Sequence, residues 1–440
     1  MRVFASMKLP PGATVWAAFS GGLDSTVLLH TLKAQGLPLK ALHVNHQLQA
    51  AAGRWVEHCR GACAQLGVAF YALEVTIDPR DPDGPEAAAR AARHGAFRSV
   101  MKAGDVLATA HHQDDQAETV LLRLMRGTGV AGLAAMREFS RFPPGTMWRP
   151  LLRESRASLR QYAERNGLAW VEDPHNLDPR YSRSFLRAEI FPRLSQRWPA
   201  AVEQLARTAE HCADAVTLLD EQAKHDLESV LPRPAKRGEV ARSAGEGLSV
   251  QKLLKLPVTR RNNVLRYWAG AGGFELPGFD ALSRLEKEVL RARPDREPLL
   301  AWGDTELRRF RDSIHLMNRL PPPPDAETAI EWNGLADLVL PEGCGALKLL
   351  TPAKTELPLR VVFAKGGERL KPAGARYTRT LRNLFQEEAI PPWVRERMPL
   401  VELDGELSGI ADRWPDAKLK AALRNARCRY RWQHSLAGCD

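Results

Sequence analysis

Along the first two hundred residues, short apolar runs alternate with amphipathic stretches. Residues 13–19 (ATVWAAF), 39–44 (LKALHV), 69–75 (AFYALEV) and 105–110 (DVLATA) have strand length and composition. Between them lie segments such as 54–66, where apolar positions return with helical period. This alternation predicts an α/β domain, a parallel sheet covered by helices on both faces. Ligands of such domains sit beyond the carboxyl ends of the strands, which is where SGGLDS, HVNHQ and TAHHQDD fall. Residues 202–227 read as one long helix, and 231–249 (LPRPAKRGEVARSAGEGLS), without apolar period, read as a mobile insertion. Residues 250–316 predict a small, mostly helical domain ending in a hairpin. LPPPPD at 320–325 is a stiff spacer, and strands, a glycine turn and a helix mix from about 359 onward. The expected division is a catalytic domain at 1–215, a helical middle domain at 216–325 carrying the insertion, and a linker with a small α+β domain at 326–440.

Composition narrows the class. The chain has 440 residues, 44% hydrophobic and 26% charged, and no run reaches the ~20 apolar residues of a membrane span. Its start (MRVFASMKLPPGATVWAAF) lacks an apolar core followed by a small-residue cleavage site, so a cytoplasmic location is expected. Six scattered cysteines form no CxxC pair, and Cys59 and Cys63, four apart on a helix, read as buried thiols. The net charge of +11 suits a polyanionic partner. Residues 141–200 hold eleven arginines, no lysine and six acids, while 360–440 hold sixteen basic and ten acidic residues. Arginine's planar fork matches phosphates and base edges, which favours nucleic acid over a merely solvated charged face.

The loop Ser20-Gly21-Gly22-Leu23-Asp24-Ser25-Thr26 follows an apolar run and opens a helix, yet has no Walker lysine. Glycines let the backbone wrap an anion, and the hydroxyls of Ser20, Ser25 and Thr26 stand beside free amides at a helix start. An acid beside an anion site is reasonable when it acts through a magnesium ion carried by a nucleotide, the role expected of Asp24. A second cluster, AHHQDDQAETVLL, sets Asp115 and Glu118 on one helix face. Two such acids buried together need a cation between them, and a lysine ammonium or magnesium is the expected guest. His111 and His112 are balanced between capping or packing and nucleotide contact.

A strand followed by SGGxDS resembles the PP-loop ATP pyrophosphatases. With HVNHQL, GPEAAARAAR, AHHQDDQAETVLLRLMRGTGVAGLAAM, RPLL and WVEDPHNLDPRYSRSFLR, and with FAKGGERLKPAG and LRNLFQEEAIPPWVRERMPL later, nearly the whole chain resembles the tRNA(Ile)-lysidine synthases. The resemblance implies that ATP activates the wobble cytidine of a CAU-anticodon isoleucine tRNA and that free L-lysine displaces AMP. It implies ATP binding by the Ser20–Thr26 loop with His46, His111, Arg126 and Gly127, magnesium at Asp24, and lysine at Asp115 and Glu118. Arg183 and Arg187 would act in catalysis and on the tRNA, joined by Arg90 and Arg93 and, in the last domain, by Arg369, Arg379, Arg382, Arg395 and Arg397 beside Trp393. EDPHN, with Asp173 and Asn176, reads as turn chemistry supporting the arginines. His94, Gln49, Ser184, Arg379 and Arg382 depart from the family's usual residues. A tRNA thiolase would need cysteines near the site, an ammonia-using ligase would not need the arginine-rich outer domains, and a non-catalytic RNA binder would not need the intact acids. Oligomeric state is not legible, a homodimer being left open.

Overall fold

The computed structural model describes residues 9–45, 52–76, 85–172, 181–232, 247–293 and 296–434. His46, Gln49, Asp173, Asn176 and most of the expected insertion at 231–249 lie outside them. The chain forms two compact units, Met1–Leu218 and Leu219–Asp440.

The first unit is built on β1 (Val15–Ala18), α1 (Leu23–Ala34), β2 (Leu39–Asn45), α2 (Ala52–Leu66), β3 (Ala69–Glu74), α3 (Pro85–Val100), β4 (Val106–Ala108), α4 (Gln113–Met125), α5 (Val130–Leu133), β5 (Phe139–Phe142), β6 (Gly145–Trp148) and α6 (Arg156–Arg165). The sheet order is β3-β2-β1-β4-β6-β5. Every pairing is parallel except β5 with β6. A strand covered on both faces needs no polar alternation, so β1 reads VWAA with three of its four residues buried. On α1, Leu23, Val27, Leu28, Leu29 and Leu32 are all buried in the core that also holds Val15, Ala17, Trp148 and Leu159. Asp105 ties the strand starts together. Its carboxylate accepts from Thr14 N at 2.9 Å, Trp16 Nε1 at 3.0 Å and Lys102 N at 2.9 Å. Burial opposes its charge, yet these donors hold the carboxyl below its ordinary range.

Next come α7 (Ser182–Phe185), a π-helical turn at Leu186–Ile190, α8 (Phe191–Arg197) and α9 (Ala201–Val230). In the second unit, α10 (Val250–Lys255), α11 (Val258–Ala271) and α12 (Phe279–Leu285) accompany a four-stranded sheet. Its order is β7 (Leu248–Ser249), β10 (Ser313–Asn318), β9 (Thr305–Phe310), β8 (Leu299–Trp302). The expected terminal hairpin is thus part of a larger antiparallel sheet, and Leu248–Ser249, expected within the insertion, instead pair as a strand with β10. A separate core carries β11 (Ala329–Trp332), β12 (Leu338–Val339), β13 (Ala346–Thr351), β14 (Leu359–Val362), β15 (Arg369–Leu370), β16 (Arg379–Thr380), α13 (Leu381–Glu387), α14 (Pro392–Arg395), β17 (Leu400–Leu403), β18 (Glu406–Ile410), β19 (Trp414–Pro415), α15 (Ala417–Asn425) and β20 (Arg429–Gln433). No helix among the described residues is long and apolar enough to cross a membrane.

Candidate active site

The turn after β1 is shaped by glycine chemistry. Gly21 has φ +81°, and a Cβ there would lie 2.9 Å from Cys59 Sγ and 3.3 Å from His58 Cδ2. Gly22 caps α1 in an extended conformation. Its carbonyl accepts from Ser25 Oγ at 3.0 Å and Thr26 Oγ1 at 2.9 Å, and Ser20 Oγ lies 3.0 Å from Ser25 Oγ. The hydroxyls therefore brace the turn, and the first amides of α1, which have no intrahelical partner, are the groups an anion at this turn would meet. Backbone Val171 N donates to Gly21 O at 2.9 Å and pins the loop from outside. Gly21→Ala is expected to raise the KM for ATP about tenfold, because an L-residue in the left-handed region costs ~1–2 kcal/mol before any clash; ATP titration of the variant checks this.

Asp24, one residue into α1, has a side chain 31% exposed, and its Oδ1 is buried without a hydrogen-bond partner. Its Oδ2 lies 3.6 Å from Nε2 of His112, the residue capping α4. The same Nε2 lies 3.5 Å from Asp115 Oδ2, and His112 Nδ1 lies 3.6 Å from Asp114 Oδ2. His112 is 2% exposed. Burial alone would lower its pKa, but Asp114, Asp24 and Asp115 together push it up to about 10, making it an imidazolium held among carboxylates. Asp114 extends the contact by accepting from Arg156 N at 2.8 Å at the start of α6. His111 is the opposite case. Burial and then the Arg149, Arg183 and Arg90 charges, against Asp115, drive it down to about 3, and its neutral ring meets Thr109 Oγ1 at 2.9 Å.

Asp115 and Glu118 do share a face, and the charges that meet them there are two guanidiniums. Arg183 Nη1 donates to Glu118 Oε2 at 3.0 Å and its Nη2 to Thr119 Oγ1 at 3.1 Å. Arg187 gives Nε to Glu118 Oε1 at 2.5 Å, and Nη2 to Asp115 Oδ1 at 2.9 Å and Glu118 Oε2 at 3.1 Å. The two arginines sit four apart where α7 passes into the π-helical turn, a local widening common at functional sites. For Asp115, burial opposes ionisation, but the His112 and Arg187 charges hold its carboxyl below the usual range.

Arg126 and Gly127 end α4 and are exposed. They stand a helix length from His112, ~21 Å for the fourteen residues from His112 to Arg126, so the structure does not bring them to the loop. Arg90 and Arg93 are exposed on α3. Arg149, outside the sequence-derived set, is buried after β6. Its Nη1 donates to Arg137 O at 2.7 Å and Ser140 Oγ at 3.0 Å, and burial with the Arg90 and Arg123 charges lowers it to about 10. His94 packs its ring on Phe142 at 5.4 Å and is driven down to about 4 by burial and the neighbouring Arg90, Arg93, Arg98 and Arg149. Cys59 and Cys63 are fully buried, their thiols pushed up to about 12 and about 11 by burial.

In the last domain the expected arginines separate. Arg397 is 2% exposed and spends its fork on backbone carbonyls of Trp393 and Pro321, so it is a structural clamp and not the RNA contact expected of it. Trp393 is core, ringed by Phe310 and His315. Arg395 donates to Ile390 O at 2.7 Å, and exposed Arg379 pairs with Glu387. Arg369 and Arg382 are exposed. The last strand, RYRWQ, lies outside the motifs that marked the other arginines. Its alternation turns Arg429 and Arg431 outward and Tyr430 and Trp432 inward.

A PP-loop domain family matches residues 3–194, the TilS substrate binding domain matches 248–315, and the TilS substrate C-terminal domain matches 359–432. A tRNA(Ile)-lysidine synthase of Xanthomonas campestris is 42% identical over 438 residues, covering 98% of each chain. One from Methylococcus capsulatus is 38% identical, covering 96% of this chain and 97% of that one. Another from Coxiella burnetii is 39% identical over 89% of this chain and 87% of its own.

Proposed function

The chain belongs to the tRNA(Ile)-lysidine synthase family, and from that premise we propose how its residues join free L-lysine to the wobble cytidine of a CAU-anticodon isoleucine tRNA. It is an ATP-dependent ligase. The reaction converts pairing at the wobble position and with it the amino-acid identity, from methionine to isoleucine. The observation that carries the residue assignment is His112, which sets the loop acid Asp24 and the helix acid Asp115 within 3.6 Å of one ring nitrogen.

In this reading the carbonyl oxygen on the cytosine ring attacks the α-phosphorus of ATP, and pyrophosphate departs into the amides opening α1. The lysine ε-amine then adds to the activated ring carbon, and AMP leaves carrying the former carbonyl oxygen. The orphaned Oδ1 of Asp24 fits magnesium, which is usually held by one or two carboxylates together with substrate phosphates. Bound there, it would supply charge neutralisation to the leaving pyrophosphate. His112 holds Asp24 toward the loop mouth without consuming Oδ1. Asp115 and Glu118 receive the lysine ammonium, and a carboxylate there accepts the proton the amine sheds. Arg187 yields its place between them and, with Arg183, meets RNA phosphate at the mouth. Positioning and charge stabilisation carry such chemistry.

Sulfur transfer, the nearest rival, finds no support. Cys59, the cysteine against the loop, is buried and its thiol is pushed up to about 12, which leaves almost no thiolate. A cytoplasmic setting, where tRNA, ATP and free lysine meet, belongs to the proposal. A tRNA labelled with oxygen-18 at the cytidine ring carbonyl tests the activation step. The label should emerge in AMP; label retained in the RNA with AMP released would exclude adenylation of that oxygen.

A further inference from the structure

We infer that the last domain carries a separate site for one unpaired nucleotide of RNA, formed by β20, the β13 bulge and the turn after β18; this rests on the tRNA reading above. A cavity of about 300 Å³ opens there, lined by Leu350, Ala411, Asp412, Arg429, Tyr430 and Arg431 among others. That is the lower end of the ~300–1,000 Å³ of small-ligand pockets, room for a nucleotide but not for a duplex.

Four features give the cavity its chemistry. Arg429 and Arg431 are exposed and have no carboxylate partner among the described residues, whereas Lys348, opposite Arg431 on β13, is paired with Asp337. The register of β13 against β20 slips between Leu349 and Thr351, and the bulged Leu350 is left 52% exposed, an apolar face at the rim. Ala411 holds φ +46°, and its carbonyl accepts from Tyr430 Oη at 2.9 Å, so one wall is a strained backbone turn fixed from below. Asp412 is exposed beside it, an acceptor for an exocyclic amino group. Two free guanidiniums for phosphate, an apolar rim for a base face and one carboxylate for a base edge suit an unstacked nucleotide, the form in which proteins read single-stranded RNA.

The test measures tRNA affinity of the full chain at several salt concentrations, with Arg429→Ala/Arg431→Ala and Leu350→Ala variants. The arginine pair should weaken binding about tenfold and reduce the salt slope by about 1–2. Leu350→Ala should weaken it about threefold with the slope unchanged, because it removes apolar contact and no charge. Lysine incorporation at saturating tRNA should match the unaltered chain in both, which also shows that the variants fold. Arginine variants that bind normally would overturn the site. An arginine effect without a Leu350 effect would reassign the strand to duplex backbone and overturn the single-nucleotide claim. Failure of the unaltered chain to make lysidine would instead strike the functional reading, and the affinity comparison would still decide the site.

Discussion

Asp24→Asn is expected to cut lysidine formation by ~10³-fold while tRNA affinity stays within about twofold, since the loss of one preorganised transition-state contact typically costs 10²–10³. The substitution keeps the shape of the side chain beside His112 and removes its charge. The orphaned Oδ1 then has no charge to offer a magnesium ion on the nucleotide, and the imidazolium of His112 loses one of the carboxylates that hold it up at about 10. The loop amides are untouched, so ATP should still bind, more weakly, and the deficit should concentrate in the rate of pyrophosphate release. Rapid-quench measurement of pyrophosphate and equilibrium tRNA binding, run side by side, separate the two. Release at wild-type speed would remove Asp24 from the chemistry.

Glu118→Ala is expected to be the most damaging substitution in the first unit, because it attacks stability and activity together. Glu118 is 1% exposed and takes Arg183 and Arg187 on its two oxygens. Breaking a buried pair from one side costs ~3–5 kcal/mol, and the partial exposure of both arginines places this case at the lower end, ~3 kcal/mol. The unfolding transition of the first unit should fall accordingly, measured by denaturant titration. Glu118→Gln separates the two effects. Its single amide oxygen can accept from Arg183 and Arg187 at the Oε2 position but its NH2 cannot accept from Arg187 Nε, so it should lose part of the stability the alanine loses, while the loss of charge raises its KM for lysine by ~100-fold, about 2.7 kcal/mol of charge-assisted contact. A glutamine variant with unchanged lysine KM would restrict Glu118 to holding the arginines.

How much of this was legible in the sequence follows from the range of the interactions. SGGLDS and HHQDDQAE are local signals, since a strand end, a turn and a helix start place their own side chains, and both clusters stand at the carboxyl edge of the sheet as expected. The arginine pair that meets Asp115 and Glu118 was not legible. The two arginines arrive from 65 and 69 residues away along the chain, and spacing in one helix is silent about such partners. His112 was balanced between two roles for the same reason, Asp24 and Asp114 closing on it from different elements. The sheet of the middle domain was under-read because Leu248–Ser249 is too short to show a period. In the last domain, arginines chosen by motif included Arg397, whose neighbours Trp393 and Pro321 bury it, while the period-two alternation of RCRYRW carried a plain outward-cation signal that was passed over.

The account rests on the loop acid, the bridging histidine and the acid–arginine cluster working as one ligase site. The most direct measurement supplies labelled L-lysine, ATP and magnesium with an unmodified CAU-anticodon isoleucine tRNA, followed by mass analysis of the released nucleosides. The expected product is a cytidine bearing lysine, with one AMP formed for each lysine joined. ATP cleaved to AMP and pyrophosphate with no lysine in the RNA would contradict the account.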